Sequence, residues 1–196
     1  MQKTAEFFFD VGSPAAYLAW TQLPTICTQT HATLVLRPML LGAVFQATGN
    51  ASPMAVPAKG RYMAADLARF AQRYGVPFQM NPHFPINTLQ LMRATVGVQL
   101  HQPQRLEDFL AAIYTAMWAD GANLNDPGAT AALLVAAGFD PAQVFAQAND
   151  PQTKAALKAN TDEAVARGVF GAPSIFVGDA LFFGQDRLDF VQQALA

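Results

Sequence analysis

The sequence predicts an α/β domain interrupted by an all-helical insertion. Three observations predict it. The first 38 residues alternate strand, helix and strand, the long middle carries almost no strand signal, and the end returns to two short apolar runs and an amphipathic stretch. The expected order is βαβ, a helical block, then ββα. Residues 1–50 and 152–196 are expected to form the α/β part, and 51–151 the insertion.

The elements follow in order. "AEFFFDV" (5–11) is apolar on both faces, which suits a strand buried inside a sheet. "PAAYLAWTQL" (14–23) reads as a helix, with Pro24 expected to kink or end it. "ATLVLRP" (32–38) is a second strand, so a right-handed βαβ unit is the economical reading. From Gly42 to Lys59 the text is rich in Gly, Pro, Ser and Asn and predicts a long ordered loop. Tyr62, Leu67, Phe70 and Tyr74 fall near helical spacing, with Gly75 as the stop. Residues 86–100, 106–120, 126–138, 140–150 and 150–168 continue as helices. "PSIFVGDALFFG" (173–184) predicts a hairpin around Gly178-Asp179, and "QDRLDFVQQAL" (185–195) a closing helix.

Composition narrows the function classes. The chain has 196 residues, 52% hydrophobic and 13% charged, enough to bury a sizeable core. A net charge of −2 gives no basic footprint for nucleic acid. No apolar run approaches the ~20 residues of a membrane span. Glu6, Asp10, Gly12 and Pro14 break the only stretch resembling a signal peptide, so a cytoplasmic protein is expected. Cys27 is the single cysteine, which excludes an internal disulfide and a C-x-x-C pair. It falls in the first helix, where a buried, non-catalytic thiol is expected. His31, His83 and His101 lack metal-ligand spacing, so no metal site is expected. Met39, Met54, Met63, Met80 and Met92 read as core fillers or as the wall of an apolar pocket.

Two short stretches raise the question of chemistry. Ser13-Pro14 has the form of a helix cap followed by a first-turn proline. Asp126-Pro127, Asp140-Pro141 and Asp150-Pro151 have nearly the same form. Ser13 differs in following a buried strand, where α/β sheets gather ligands, and in being neutral. The N-terminus of a helix favours an anion. Aspartate would repel an incoming one, whereas a serine hydroxyl can donate to it. The second stretch is "FGAPSIFVG", where Ala172-Pro173 enters a strand. It is either a plain strand-start proline or a cis step, and the cis step is the one predicted. In the cis form Ala172 can offer its backbone to an extended peptide.

Strand, G-S-P opening a helix, helical insertion, then F-G-A-P-S before a hairpin resembles the thioredoxin-like fold of bacterial disulfide oxidoreductases. Those proteins carry C-x-x-C where this chain has Ser13-Pro14-Ala15-Ala16. The serine form resembles the kappa-class glutathione transferases and the 2-hydroxychromene-2-carboxylate isomerases, over nearly the whole chain. "TGNASPMAVPAKGRYMAADL" and "VFGAPSIFVGDALFFGQDRLDFV" are similar to family segments.

The resemblance implies glutathione as cofactor, a small aromatic substrate and a homodimer. It also implies that Ser13 hydrogen-bonds the glutathione sulfur, that Asn50 contacts glutathione, and that Ala172, before Pro173, pairs with its cysteinyl backbone. Gln185 and Asp186 would hold the γ-glutamyl end. Lys59 would face a carboxylate of glutathione or substrate. Plainer readings stand beside these: Asp186 as a helix cap, Asn50 as a turn residue, Lys59 as a solvated lysine. Where the isomerases place polar and basic residues against substrate, this chain reads Ala51-Ser52-Pro53-Met54, closer to the kappa transferases.

The implied isomerisation opens a cyclic hemiketal to a cis enone acid and converts it to the trans o-hydroxybenzylidenepyruvate. A thiolate adds to the enone, the resulting single bond rotates, and the thiolate leaves. A free thiol with pKa ~8.5 is only about 3% thiolate at pH 7, and lowering it by about two units gains roughly 25-fold. Orientation must supply the rest. A kappa-like transferase would use the same thiolate on an electrophile that keeps it. A third reading is a non-enzymatic thioredoxin-like peptide binder.

Overall fold

The structure is a computed structural model that describes residues 2–196. Four strands form one sheet in the order β2-β1-β3-β4, built from β1 (Thr4–Phe9), β2 (Thr33–Pro38), β3 (Ser174–Val177) and β4 (Ala180–Phe183). β1 pairs parallel with β2 and antiparallel with β3, and β3 pairs antiparallel with β4. Helix α1 (Pro14–Gln29) joins the two parallel strands. Gly178-Asp179 makes the two-residue hairpin turn between β3 and β4, with Gly178 at φ 59°, a conformation that favours glycine. The βαβ and ββα halves expected from the sequence are both present.

The triple phenylalanine follows from the pleat. Side chains alternate along β1. Ala5, Phe7 and Phe9 enter the main core with Leu18 and Leu23 of α1 and Ile175 of β3, whereas Phe8 enters a second, smaller core with Phe176. A strand covered on both faces needs apolar residues at successive positions. Glu6, on the Phe8 face, pairs with Arg167 at 2.8 Å, and Arg167 lies over the Phe176 ring.

Two expectations need correction. The span from Gly42 to Lys59 is mostly helical. α2 (Leu41–Thr48) buries Val44 in the second core, Pro53–Ala55 make one 3₁₀ turn, and α3 (Pro57–Tyr74) starts two residues before Lys59. Pro53 and Pro57 each occupy a first helical position, where a missing N–H costs nothing, and Gly49 ends α2 at φ 69°. Of the two outcomes expected at Pro24, a kink or an end of the helix's first part, the end does not occur: α1 runs on to Gln29. Pro24 faces solvent while Leu23 and Cys27 are buried on the inner side. Water can satisfy the carbonyl it frees, and core burial keeps the helix going.

The helical block continues with α4 (Leu89–His101), α5 (Leu106–Trp118), α6 (Pro127–Ala136) and α7 (Pro141–Asn149), and α8 (Pro151–Ala166) leads back to the sheet. α9 (Leu188–Leu195) closes the chain. Tyr114 of α5 packs on Phe9, Tyr17 and Trp20, so helical block and sheet share one core. α8 instead covers the other face of the sheet through Ala164. Among the described residues no single helix is long and apolar enough to cross a membrane.

Cys27 is buried, and burial pushes its thiol up from the ordinary value. Met39 and Met92 are core residues, while Met54, Met63 and Met80 are half-buried. On the glutathione-dependent activity that the resemblance implies, Cys27→Ala is expected to keep turnover within about 2-fold, with a stability loss of about 1 kcal/mol from the small cavity. Turnover lost while fold and glutathione binding persist would contradict this.

Candidate active site

Ser13 lies where β1 runs out. Asp10, Val11 and Gly12 turn the chain, and Ser13 caps α1 with extended backbone (φ −96°, ψ 115°). Its N–H donates to the Asp10 carbonyl at 3.0 Å, and its Oγ accepts the Ala16 N–H at 3.1 Å. The three Asp-Pro helices are capped differently. Asp126, Asp140 and Asp150 accept from the N–H two residues on, at Gly128, Ala142 and Gln152. A carboxylate has only acceptors. Ser13 keeps a proton, which it donates to the Ala172 carbonyl at 3.0 Å.

The Ala172–Pro173 bond is cis, as the sequence predicts. The Ala172 N–H has no partner within the chain among the described residues. One free N–H beside one carbonyl held by a rotatable hydroxyl is what an extended peptide needs for pairing. The neighbouring step is fixed by the hairpin, because the Gly184 N–H donates to the Pro173 carbonyl at 3.1 Å.

That bond brings Gln185 and Asp186 beside the proline. They form a 3₁₀ turn ahead of α9, and the Tyr74 hydroxyl of α3 donates to the Gln185 carbonyl at 2.6 Å. Asp186 does not cap α9; its carboxylate pairs with Arg187. A cavity of about 400 Å³ opens next to it between α1, α3 and α9, with Arg73 and Asp189 on its wall. Asn50 approaches from the other side. Its Nδ2 donates to the Phe170 carbonyl at 2.8 Å, and its Oδ1 accepts the Ala51 N–H, so it also serves as a turn residue. Hydrogen bonds thus tie Ser13 to Ala172, Asn50 to Phe170 two residues before Ala172, and Pro173 to Gly184 just ahead of Gln185 and Asp186; of these residues only Asp186 lines the cavity. Lys59 stands exposed on the first turn of α3, and no hydrogen bond joins it to them.

Sequence reasoning missed the scaffold under Ser13. Asp10 is 1% exposed, and its carboxylate accepts the Gly12 N–H (2.9 Å), the Leu41 N–H (2.9 Å) and the Thr88 hydroxyl (3.0 Å). Burial pushes this carboxyl up, against the pull of its three hydrogen bonds. The Val11 N–H donates to the Met92 sulfur, and the Trp118 indole donates to the Val11 carbonyl at 2.8 Å. The turn that presents Ser13 is therefore held by α4 and α5. Tyr114 is buried nearby with its hydroxyl unpartnered, and burial and Asp10 both raise its pKa. The one sequence signal was an acid closing a strand buried on both faces.

Gly12 shows how closely the helical block approaches. A Cβ there would meet Thr88 Cγ2 at 2.7 Å and Asp10 Oδ1 at 3.3 Å. Gly12→Ala is expected to cost about 1–3 kcal/mol, as overpacking does. On the glutathione reading that the resemblance implies, it should lower turnover more than ligand affinity, because it displaces Ser13's turn and leaves Ala172 in place. Urea unfolding and a kcat-against-KM comparison check this.

The chemistry available here is peptide pairing at Ala172 and stabilisation of an anion at Ser13. Pro14 has no N–H, and the Ala15 N–H is unpartnered within the chain among the described residues. A hydroxyl and a free N–H at the positive end of a 16-residue helix favour an anion there. The sheet, the serine-capped helix and the cis-proline step define a thioredoxin-like protein with its redox cysteines absent.

The chain belongs to the DSBA-like thioredoxin domain family, whose profile matches residues 4–196. It is 31% identical over its whole length to 2-hydroxychromene-2-carboxylate isomerase of Sphingobium xenophagum, covering 99% of that protein. It is 28% identical, again over its whole length, to glutathione S-transferase kappa 1 of Homo sapiens, covering 92% of it. A solved 2-hydroxychromene-2-carboxylate isomerase matches with a TM-score of 0.85 at 25% identity, covering 98% of this chain and 94% of that one.

Proposed function

We propose that the protein is a glutathione-dependent isomerase that converts 2-hydroxychromene-2-carboxylate to trans-o-hydroxybenzylidenepyruvate. The observation that carries the reading is the Ser13 hydroxyl held 3.0 Å from the Ala172 carbonyl, beside an unpaired Ala172 N–H. These groups fit a cysteinyl backbone and its sulfur. The Sphingobium relative supports the reaction, and the human relative's name supports glutathione.

Bound glutathione supplies a thiol sulfur that adds reversibly to an enone and lets its double bond rotate. The chain's own residues hold and orient the reactants. Ser13 turns its hydroxyl proton from the Ala172 carbonyl to the sulfur, and the Ala15 N–H adds a second donor. Ala172 pairs with the cysteinyl backbone. Gln185 and Asp186 receive the γ-glutamyl end, with Asp186 facing its ammonium, and Asn50 borders the tripeptide. Lys59 faces a carboxylate as a mobile cation at the rim. Asp10 and its three donors keep the Ser13 turn from yielding.

A kappa-like transferase is the second reading. It is favoured by the weakly polar stretch Ala51-Ser52-Pro53-Met54 and by the human relative. The test mixes protein, glutathione and 2-hydroxychromene-2-carboxylate and follows trans-enone absorbance, with glutathione omitted as control. Glutathione-dependent isomerisation supports the proposal. Conjugation of an aryl halide without isomerisation replaces it with the transferase, and neither activity leaves a peptide binder.

A further inference from the structure

A second cavity, of about 460 Å³, lies inside the helical block between α4, α5, α6 and α7. Ser13, Ala172 and Asp186 are not among its walls. Its floor is apolar and buried: Leu91 and Ala94 of α4, Phe109 and Ile113 of α5, and Leu134 of α6. Its mouth carries four exposed carboxamides, Asn87, Gln90, Asn125 and Asn149. No Asp, Glu, Lys, Arg or His lines it.

The carboxamides are only partly used. Asn87 Oδ1 accepts the Leu89 N–H, Asn125 Oδ1 accepts the Asn87 N–H, and Asn149 Nδ2 donates to the Phe145 carbonyl. Within the chain, among the described residues, the Asn87 and Asn125 NH₂ groups, the Asn149 oxygen and the whole Gln90 amide are free to meet a ligand. An apolar floor of this size with a few convergent polar groups is the usual make-up of a small-molecule site. An ionised ligand would find no counter-charge and would lose hydration on the floor.

We infer that this cavity is a second binding site, for a neutral aromatic molecule of two or three rings bearing one hydrogen-bonding group. The rings lie on Leu91, Phe109, Ile113 and Leu134, and the polar group meets the carboxamides at the mouth. The site stands apart from the glutathione reading and does not depend on it. It is close to the Ser13 turn all the same, because Asn87 on its rim precedes Thr88, whose hydroxyl holds Asp10.

The test uses N-phenyl-1-naphthylamine, a neutral fluorophore, and 8-anilinonaphthalene-1-sulfonate, the same skeleton carrying a sulfonate. Wild-type protein should bind the neutral probe with one-to-one stoichiometry and the anion at least about 10-fold more weakly, the discrimination expected of an uncharged apolar site. Asn149→Cys supplies a thiol at the mouth, where a bulky maleimide can be attached while buried Cys27 stays unmodified. The unlabelled variant loses one of the four carboxamides and should bind about 2- to 10-fold more weakly than wild type, the worth of one neutral hydrogen bond, and labelling it should cost at least about a further 10-fold, the effect of a blocked mouth. Ser13→Ala should leave the titration unchanged, which separates this site from the glutathione site. Equal binding of both probes, or unaltered binding after complete labelling, overturns the inference. Loss of binding in Ser13→Ala does so too.

Discussion

Ser13→Ala is expected to lower glutathione-dependent turnover by about 10- to 150-fold, the worth of one hydrogen bond to a charged group. The thiol titration of bound glutathione should move up in pH, because the anion loses a donor. Affinity for glutathione should change far less, since Ala172 and Asp186 still hold the peptide. The variant also loses the bond to the Ala16 N–H, so a stability loss of about 1 kcal/mol accompanies it.

Ser13→Asp separates the two roles. Aspartate caps helices as well as serine does, and Asp126, Asp140 and Asp150 do so in this chain. A carboxylate at position 13 has no proton for the Ala172 carbonyl or for a sulfur, and it places a second anion in the thiolate seat. Ser13→Asp should therefore keep the cap that Ser13→Ala loses, fold better than it, and yet turn over more slowly. Full turnover with an unshifted thiol titration in Ser13→Asp would reduce Ser13 to a cap.

Asp10 should give the largest stability effect. Asp10→Ala strands the Gly12 and Leu41 N–H groups and the Thr88 hydroxyl. Each unsatisfied buried donor costs about 1–3 kcal/mol, so a loss of about 3 kcal/mol is expected even after the buried charge is removed. Thr88→Val removes only one donor and should cost about 1 kcal/mol. Asp10→Asn is the informative partner. Its carboxamide can still accept on one side but presents an NH₂ to a donor on the other.

The pH dependence has a definite sign. Burial raises Asp10 in the folded protein above its ordinary 3.8. The folded chain therefore keeps this proton where the unfolded chain has released it. The Asp10 contribution is greatest below 3.8 and falls as pH rises from there through the higher folded value, then stays level. Asp10→Asn cannot titrate. Wild-type stability relative to Asp10→Asn should thus decline as pH rises across that window, in urea melts from about pH 4 to pH 8. Parallel curves would show that Asp10 ionises equally in both states.

Sequence alone determined what local rules encode. Alternation and runs of apolar residues placed the strands. Asp-Pro pairs placed three helix starts, and Gly178-Asp179 placed the hairpin. Ser13 and Ala172 could be linked because each marks the entry to an element of one known arrangement. Each of these signals lies within a few residues. Where local composition pointed the wrong way, at 42–59 and at Pro24, burial of Val44, Leu23 and Cys27 decided the outcome. Only the tertiary structure could decide what holds the site. Asp10 meets Thr88 across 78 residues, the Trp118 indole meets Val11 across 107, Tyr74 meets Gln185 across 111, and Ser13 meets Ala172 across 159. A hydrogen bond leaves no periodicity in the chain on either side of it. Its partners are chosen when the helical block closes on the sheet and buried polar groups must be satisfied by whatever lies opposite.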